Sequence, residues 1–200
     1  MNQILERVEL EYWSKKPYSF EIKITENNIE NPNFLRNLNK SSYFAYLNNN
    51  IGLCNQILEE YITLPFNGNY DQWTWIESGI YLKMFICLES NEKDIYDGLK
   101  KIIYNQFELS DIPESTRRIN LKAFTRGLSG SLLNSKEVKI KQVVSNGDID
   151  LEFMGLMAYF AELIFIYSMN EGSVDNNIKE KLTNAKSRLL EIIDYYKSNS

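Results

Sequence analysis

The chain contains no histidine at all, and that absence removes a large part of enzyme chemistry. Ser-His and Cys-His nucleophile pairs need an imidazole, as do HExxH zinc sites, and no other side chain titrates so readily near neutral pH. Catalysis would have to run through carboxylates, Lys, Tyr or a bound cofactor. Cysteine is nearly as scarce. Cys54 and Cys87 both fall within apolar helical patterns, with no CxxC spacing. Neither a zinc centre nor a disulfide framework is expected, and the two are read as small core residues of a reducing compartment. No metal and no cofactor is expected.

Dense groups of Lys and Arg are missing as well. The net charge is −5 over 200 residues. Without a basic face a chain cannot release counterions from a phosphate backbone, which argues against a nucleic acid partner. The N-terminal "MNQILERVELEYW" carries acids where a secretory signal has a basic head and a clean apolar stretch, so a cytoplasmic location is expected.

Long apolar runs are limited to one, "FMGLMAYFAELIFIYSM" from Phe153 to Met169, and it holds Glu162 near its middle. At about 1.5 Å per residue the run spans roughly 25 Å, short of the ~30 Å hydrocarbon core. Its Leu, Ile and Phe side chains each favour insertion by about 0.3–0.6 kcal/mol, and one central acid returns about 2.5–3.5 kcal/mol. The flanks "NGDIDLE" and "NEGSVD" are acidic and offer no Lys or Arg anchor. No membrane partner is expected, and the run is read as a central core helix.

What is present is material for a helical core. Apolar residues make up 44% and charged residues 24%, ordinary values for one globular domain spanning 1–200, and thirteen Tyr and ten Phe supply much of the core volume. Ile4, Leu5, Val8 and Tyr12 predict a first helix. Tyr18, Phe20, Ile22 and Ile24 alternate with polar residues, the pattern of a strand. Asn31 and Pro32 open a helix, and another follows the Asn48–Asn50 break, with Cys54, Ile57, Leu58, Tyr61 and Ile62 on one stripe. Asp71 is expected to cap a helix through "QWTWIESGIYLKMFICLES". The next is expected to start at Asn91, with Ile95, Leu99, Ile102 and Ile103 on one face. "KEVKIKQVV" reads equally as strand or helix; as a strand, 137–144 would pair with 18–25. Ile178, Leu182, Ala185, Leu189, Ile192 and Tyr196 form the cleanest amphipathic stripe. The sum is a mainly α fold, a compact bundle or short irregular solenoid of antiparallel hairpins over 31–64, 70–107 and 113–170, with at most that one small strand pair.

Two acids stand out because they interrupt apolar helices: Glu77 and Glu162. A buried carboxylate must be paired, hydrogen-bonded or protonated. Nothing basic lies within a helical turn of Glu162, so Arg117, Arg118, Arg126 and Arg188 are the candidate donors, and Tyr hydroxyls could serve too. Two acids from separate helices could bind a metal or act as an acid–base pair; the commoner alternative is a pair of structural hydrogen-bond anchors. At the loop-to-helix junction "NGNYDQWTW", Tyr70, Trp73 and Trp75 are of the residue types favoured as interface anchors, although the spacing of Trp73 to Ile76 and Ile80 also suits core packing.

In size, acidity and helical-hairpin layout the whole chain resembles the small all-helical immunity proteins of bacterial polymorphic and contact-dependent toxin systems. The resemblance implies a non-catalytic protein that binds a cognate toxin in the cytoplasm and blocks its activity. An acidic surface would suit a basic toxin and speed encounter. The residues expected to bind it are Tyr70, Asp71, Trp73 and Trp75, together with Glu6, Glu9 and Glu11 of the first helix. The alternatives are a carboxylate-based enzyme centred on Glu77 and Glu162, or a helical scaffold.

Overall fold

The structure, a computed structural model, describes residues 32–65, 69–105 and 149–199. Among them the regular elements are six helices: α1 Pro32–Leu47, α2 Ile51–Glu59, α3 Tyr70–Glu89, α4 Lys93–Asn105, α5 Ile149–Met169 and α6 Asn176–Asn199. The fold is mainly α. The expected strand pair, 18–25 with 137–144, lies outside the described residues, as do Glu6, Glu9 and Glu11 and the helix expected to carry them.

Three of the turns between helices share one device. Asn49, Asn91 and Glu171 take left-handed backbone angles with φ of 59°, 59° and 53°. The next residue's N–H then reaches back to a carbonyl in the last turn: Asn50 to Ala45 at 2.8 Å, Glu92 to Cys87 at 2.8 Å and Gly172 to Tyr167 at 2.9 Å. This satisfies carbonyls that a helix end leaves unpaired, and Asn tolerates the left-handed region better than most residues. The chain reverses at once, so α1 packs on α2, α3 on α4 and α5 on α6. The first two pairs are the hairpins expected over 31–64 and 70–107. The expected 113–170 hairpin lies largely outside the described residues, and α5 pairs with α6.

Two expected helix starts are corrected. Asn69 caps α3, its carbonyl oxygen Oδ1 accepting from the N–H of Gln72 at 3.3 Å, while Asp71 sits inside the first turn. The tripeptide around Asn91 ends α3 in the turn just described, so α4 begins two residues later, at Lys93. The face of α4 also rotates. Tyr96, Leu99 and Ile103 are buried, whereas Ile95 is 48% exposed. Tyr96 goes inside because its hydroxyl finds an acceptor there, the Ser168 carbonyl at 2.7 Å.

The core runs through α1, α3 and α5. α3 packs on both α1 and α5, and α6 lies against α5 and touches α1. Phe160 of α5 is fully buried between Tyr43 and Tyr46 of α1, with ring centroids 6.4 and 6.3 Å away. Tyr81 meets Phe165 edge-on at 4.6 Å. Leu163 and Ile164 are fully buried, as expected of a core helix, and no helix among the described residues is long and apolar enough to cross a membrane. On α6 the stripe predicted from sequence is the inner one. Ala185, Leu189 and Ile192 are buried, Ile178 and Leu182 are half-buried against the core, and Ile193 joins them.

Candidate functional site

α3 and α5 pass each other with polar residues on the facing sides. On α3, Thr74, Glu77, Ser78 and Tyr81 follow the i, i+3, i+4, i+7 spacing that places them on one face. On α5, Ala161, Glu162 and Phe165 face them. Together these seven residues line one pocket that encloses about 20 Å³ of space reachable by a water-sized molecule. A single water needs roughly 10–15 Å³ on the same measure. Glu77, Tyr81, Glu162 and Phe165 form a buried floor, each 3–4% exposed, and Thr74, Ser78 and Ala161 make a half-buried rim.

The two acids that the sequence singled out therefore meet at one site, although they are 85 positions apart (162 − 77). Glu77 accepts a hydrogen bond from the Tyr81 hydroxyl at 2.8 Å, one helical turn onward. A hydroxyl donor of this kind at an ordinary O–H···O distance is one way to keep a carboxyl group inside. Tyr81 is held in turn: its ring meets Phe165 and its backbone carbonyl accepts from the Ser168 hydroxyl at 3.1 Å. The floor of the pocket is thus tied to both helices.

Of the arginines expected to approach Glu162, Arg117, Arg118 and Arg126 lie outside the described residues. Arg188 is engaged elsewhere. Its Nε donates to Glu152 Oε1 at 2.7 Å, its Nη2 to Glu152 Oε2 at 3.1 Å, and its Nη1 to Glu191 at 2.8 Å. These bonds push the Arg188 pKa up from an already high value. The fork-to-fork geometry gives the buried Glu152 a matched partner between α5 and α6. Glu152 was missed in the sequence because it sits one turn into a helix whose start reads as merely acidic. Its partner is 36 residues away.

A second polar seam adjoins the pocket through Ser78. The Ser78 hydroxyl donates to Asn39 Oδ1 at 3.3 Å, and Asn39 Nδ2 donates to the Tyr61 hydroxyl at 3.2 Å. Ser42 Oγ lies 3.3 Å from the same Tyr61 oxygen and 2.7 Å from the Asn39 carbonyl. Tyr61 is fully buried, and desolvation holds its hydroxyl well above the usual phenol range. The run "NKSS" in the middle of α1 was the available signal for this seam. Ser41 on the same helix is fully buried, and its hydroxyl has no hydrogen-bond partner among the described residues.

The expected interface anchors separate. Trp73 is buried and belongs to the core; Trp75 is half-buried against it, and its carbonyl accepts from Asn39 at 3.4 Å. Tyr70 and Asp71 occupy the first turn of α3, their side chains outside the described set. Cys54 and Cys87 are buried, and burial pushes their thiols up to about 12 and about 11. Neither is a nucleophile in this state. Among the described residues, no group of three or more His, Cys, Asp or Glu is arranged to hold a metal ion.

No curated protein and no solved structure matches the chain. Residues 2–194, nearly its whole length, match the Family of unknown function (DUF6707), and the protein belongs to that family.

Proposed function

We propose that the protein is a non-catalytic binding module of the immunity kind, which neutralises a cognate bacterial toxin by occupying a basic surface on it. The observation that carries this reading is the sign of the outward charge. Among the described residues the exposed acids are Glu59, Glu89, Glu92, Asp94, Glu171, Asp175, Glu180, Glu191 and Asp194. The exposed bases are Arg36, Lys93, Lys101, Lys179 and Arg188. Acids outnumber bases nine to five at these exposed positions, and a negative excess favours encounter with a positively charged partner, by up to about 10–10³-fold where the field is strong. Among the described residues, buried hydrogen bonds tie Tyr96 and Tyr81 to Ser168 and Asn39 to Tyr61, which lowers the cost of ordering that part of the surface when a partner arrives.

The test is to look for a toxin domain encoded beside this gene and to co-express it with the protein. Rescue of growth and recovery of a stable complex are expected, with an association rate that falls steeply as salt is raised. Reversing Glu59, Asp94 and Glu180 to Lys should slow association while leaving the far-ultraviolet circular dichroism unchanged. Absence of rescue, or an association rate indifferent to salt, would overturn the proposal.

A second reading rests on the shared pocket of Glu77 and Glu162, which places two buried carboxylates from different helices beside one small space. Such a pair could transfer protons within a catalytic cycle. Folded Glu77→Gln and Glu162→Gln proteins separate the two ideas. Binding predicts that both still protect cells, and loss of protection with the fold intact would give the two carboxylates a chemical role that binding alone does not need.

A further inference from the structure

We draw no further inference here: the strongest candidate, the pocket between α3 and α5 floored by Glu77 and Glu162, belongs to the site already described, and nothing in the structure shows what ligand would fill it.

Discussion

Replacing Gly79 by alanine is the most direct probe of how the turn that follows α2 packs on α3. A Cβ at this position would lie 2.7 Å from two ring carbons of Tyr61 and closer still to its hydroxyl oxygen. The Tyr61 ring therefore lies directly on the α3 backbone, and only glycine leaves it room. The ring has nowhere to go, because it is fully buried and its hydroxyl is engaged by Asn39 and Ser42. Overpacking of a tight core costs about 1–3 kcal/mol. Disturbing two modest hydrogen bonds adds about 1–3 kcal/mol. The intrinsic preference of a helix for Ala over Gly returns about 1 kcal/mol. The net expectation for Gly79→Ala is a loss of roughly 1–5 kcal/mol, read as a lower urea midpoint by circular dichroism with the slope unchanged. In a Tyr61→Leu background the clash disappears, so the same substitution should become neutral or stabilising by up to about 1 kcal/mol. If Gly79→Ala is harmless in the wild-type protein, or equally harmful in both backgrounds, the packing argument is wrong.

Other outcomes follow from individual contacts. Ser41→Ala removes a buried hydroxyl without a hydrogen-bond partner among the described residues and should raise stability by about 1–3 kcal/mol in the same urea assay; a loss would mean the hydroxyl is bonded. Arg188→Ala strands the carboxylate of Glu152. Removing one partner of a fully buried pair costs about 3–5 kcal/mol, but Arg188 is 46% exposed and water screens the pair, so about 1–3 kcal/mol is expected. The double variant with Glu152→Gln should recover part of that loss. Glu171 has its pKa lowered from 4.5, chiefly by the hydrogen bond from Lys100. The stability it contributes is therefore present above the ordinary glutamate value and is lost as pH falls through its own lower one. Carboxyl chemical shifts should titrate below 4.5 and return to it in Lys100→Met. The thiols of Cys54 and Cys87, raised by burial from 9.0 to about 12 and about 11, should resist iodoacetamide at pH 8 until the protein is unfolded in urea. Because those values are raised in the folded state, their contribution is complete below pH 9 and is lost as pH climbs toward 11–12.

Helix identity was legible because apolar spacing and turn residues agree locally. The α6 stripe and the two short hairpins needed nothing beyond residues a few positions apart. Helix starts were less legible. Asn69 and Asp71 are both good caps, and choosing between them requires knowing where the chain enters the helix. The rotation of α4 shows the same limit. Ile95 is the more apolar side chain by composition, yet Tyr96 is buried because a carbonyl 72 residues away accepts its hydroxyl. For the site, the charge-in-apolar pattern exposed Glu77 and Glu162, and the structure places both on one pocket. That Tyr81 serves Glu77 was readable from its i+4 spacing; that Arg188 serves Glu152 was not, since no local rule connects α5 to α6.

The seam of Asn39, Ser42, Tyr61 and Ser78 has a consequence for how uniquely the helices fit. Purely apolar faces can slide by a turn and still bury similar area, since dispersion and desolvation have little direction. Here a one-turn slip of α1 along α3 would carry Asn39 away from Ser78 and from the Trp75 carbonyl. It would also leave several amide and hydroxyl groups dry and unanswered. At about 1–3 kcal/mol for each stranded group, the misaligned packing is disfavoured by an amount comparable to the whole stability of a typical domain. The seam adds little to the depth of the native minimum and much to its distance from the nearest competitor.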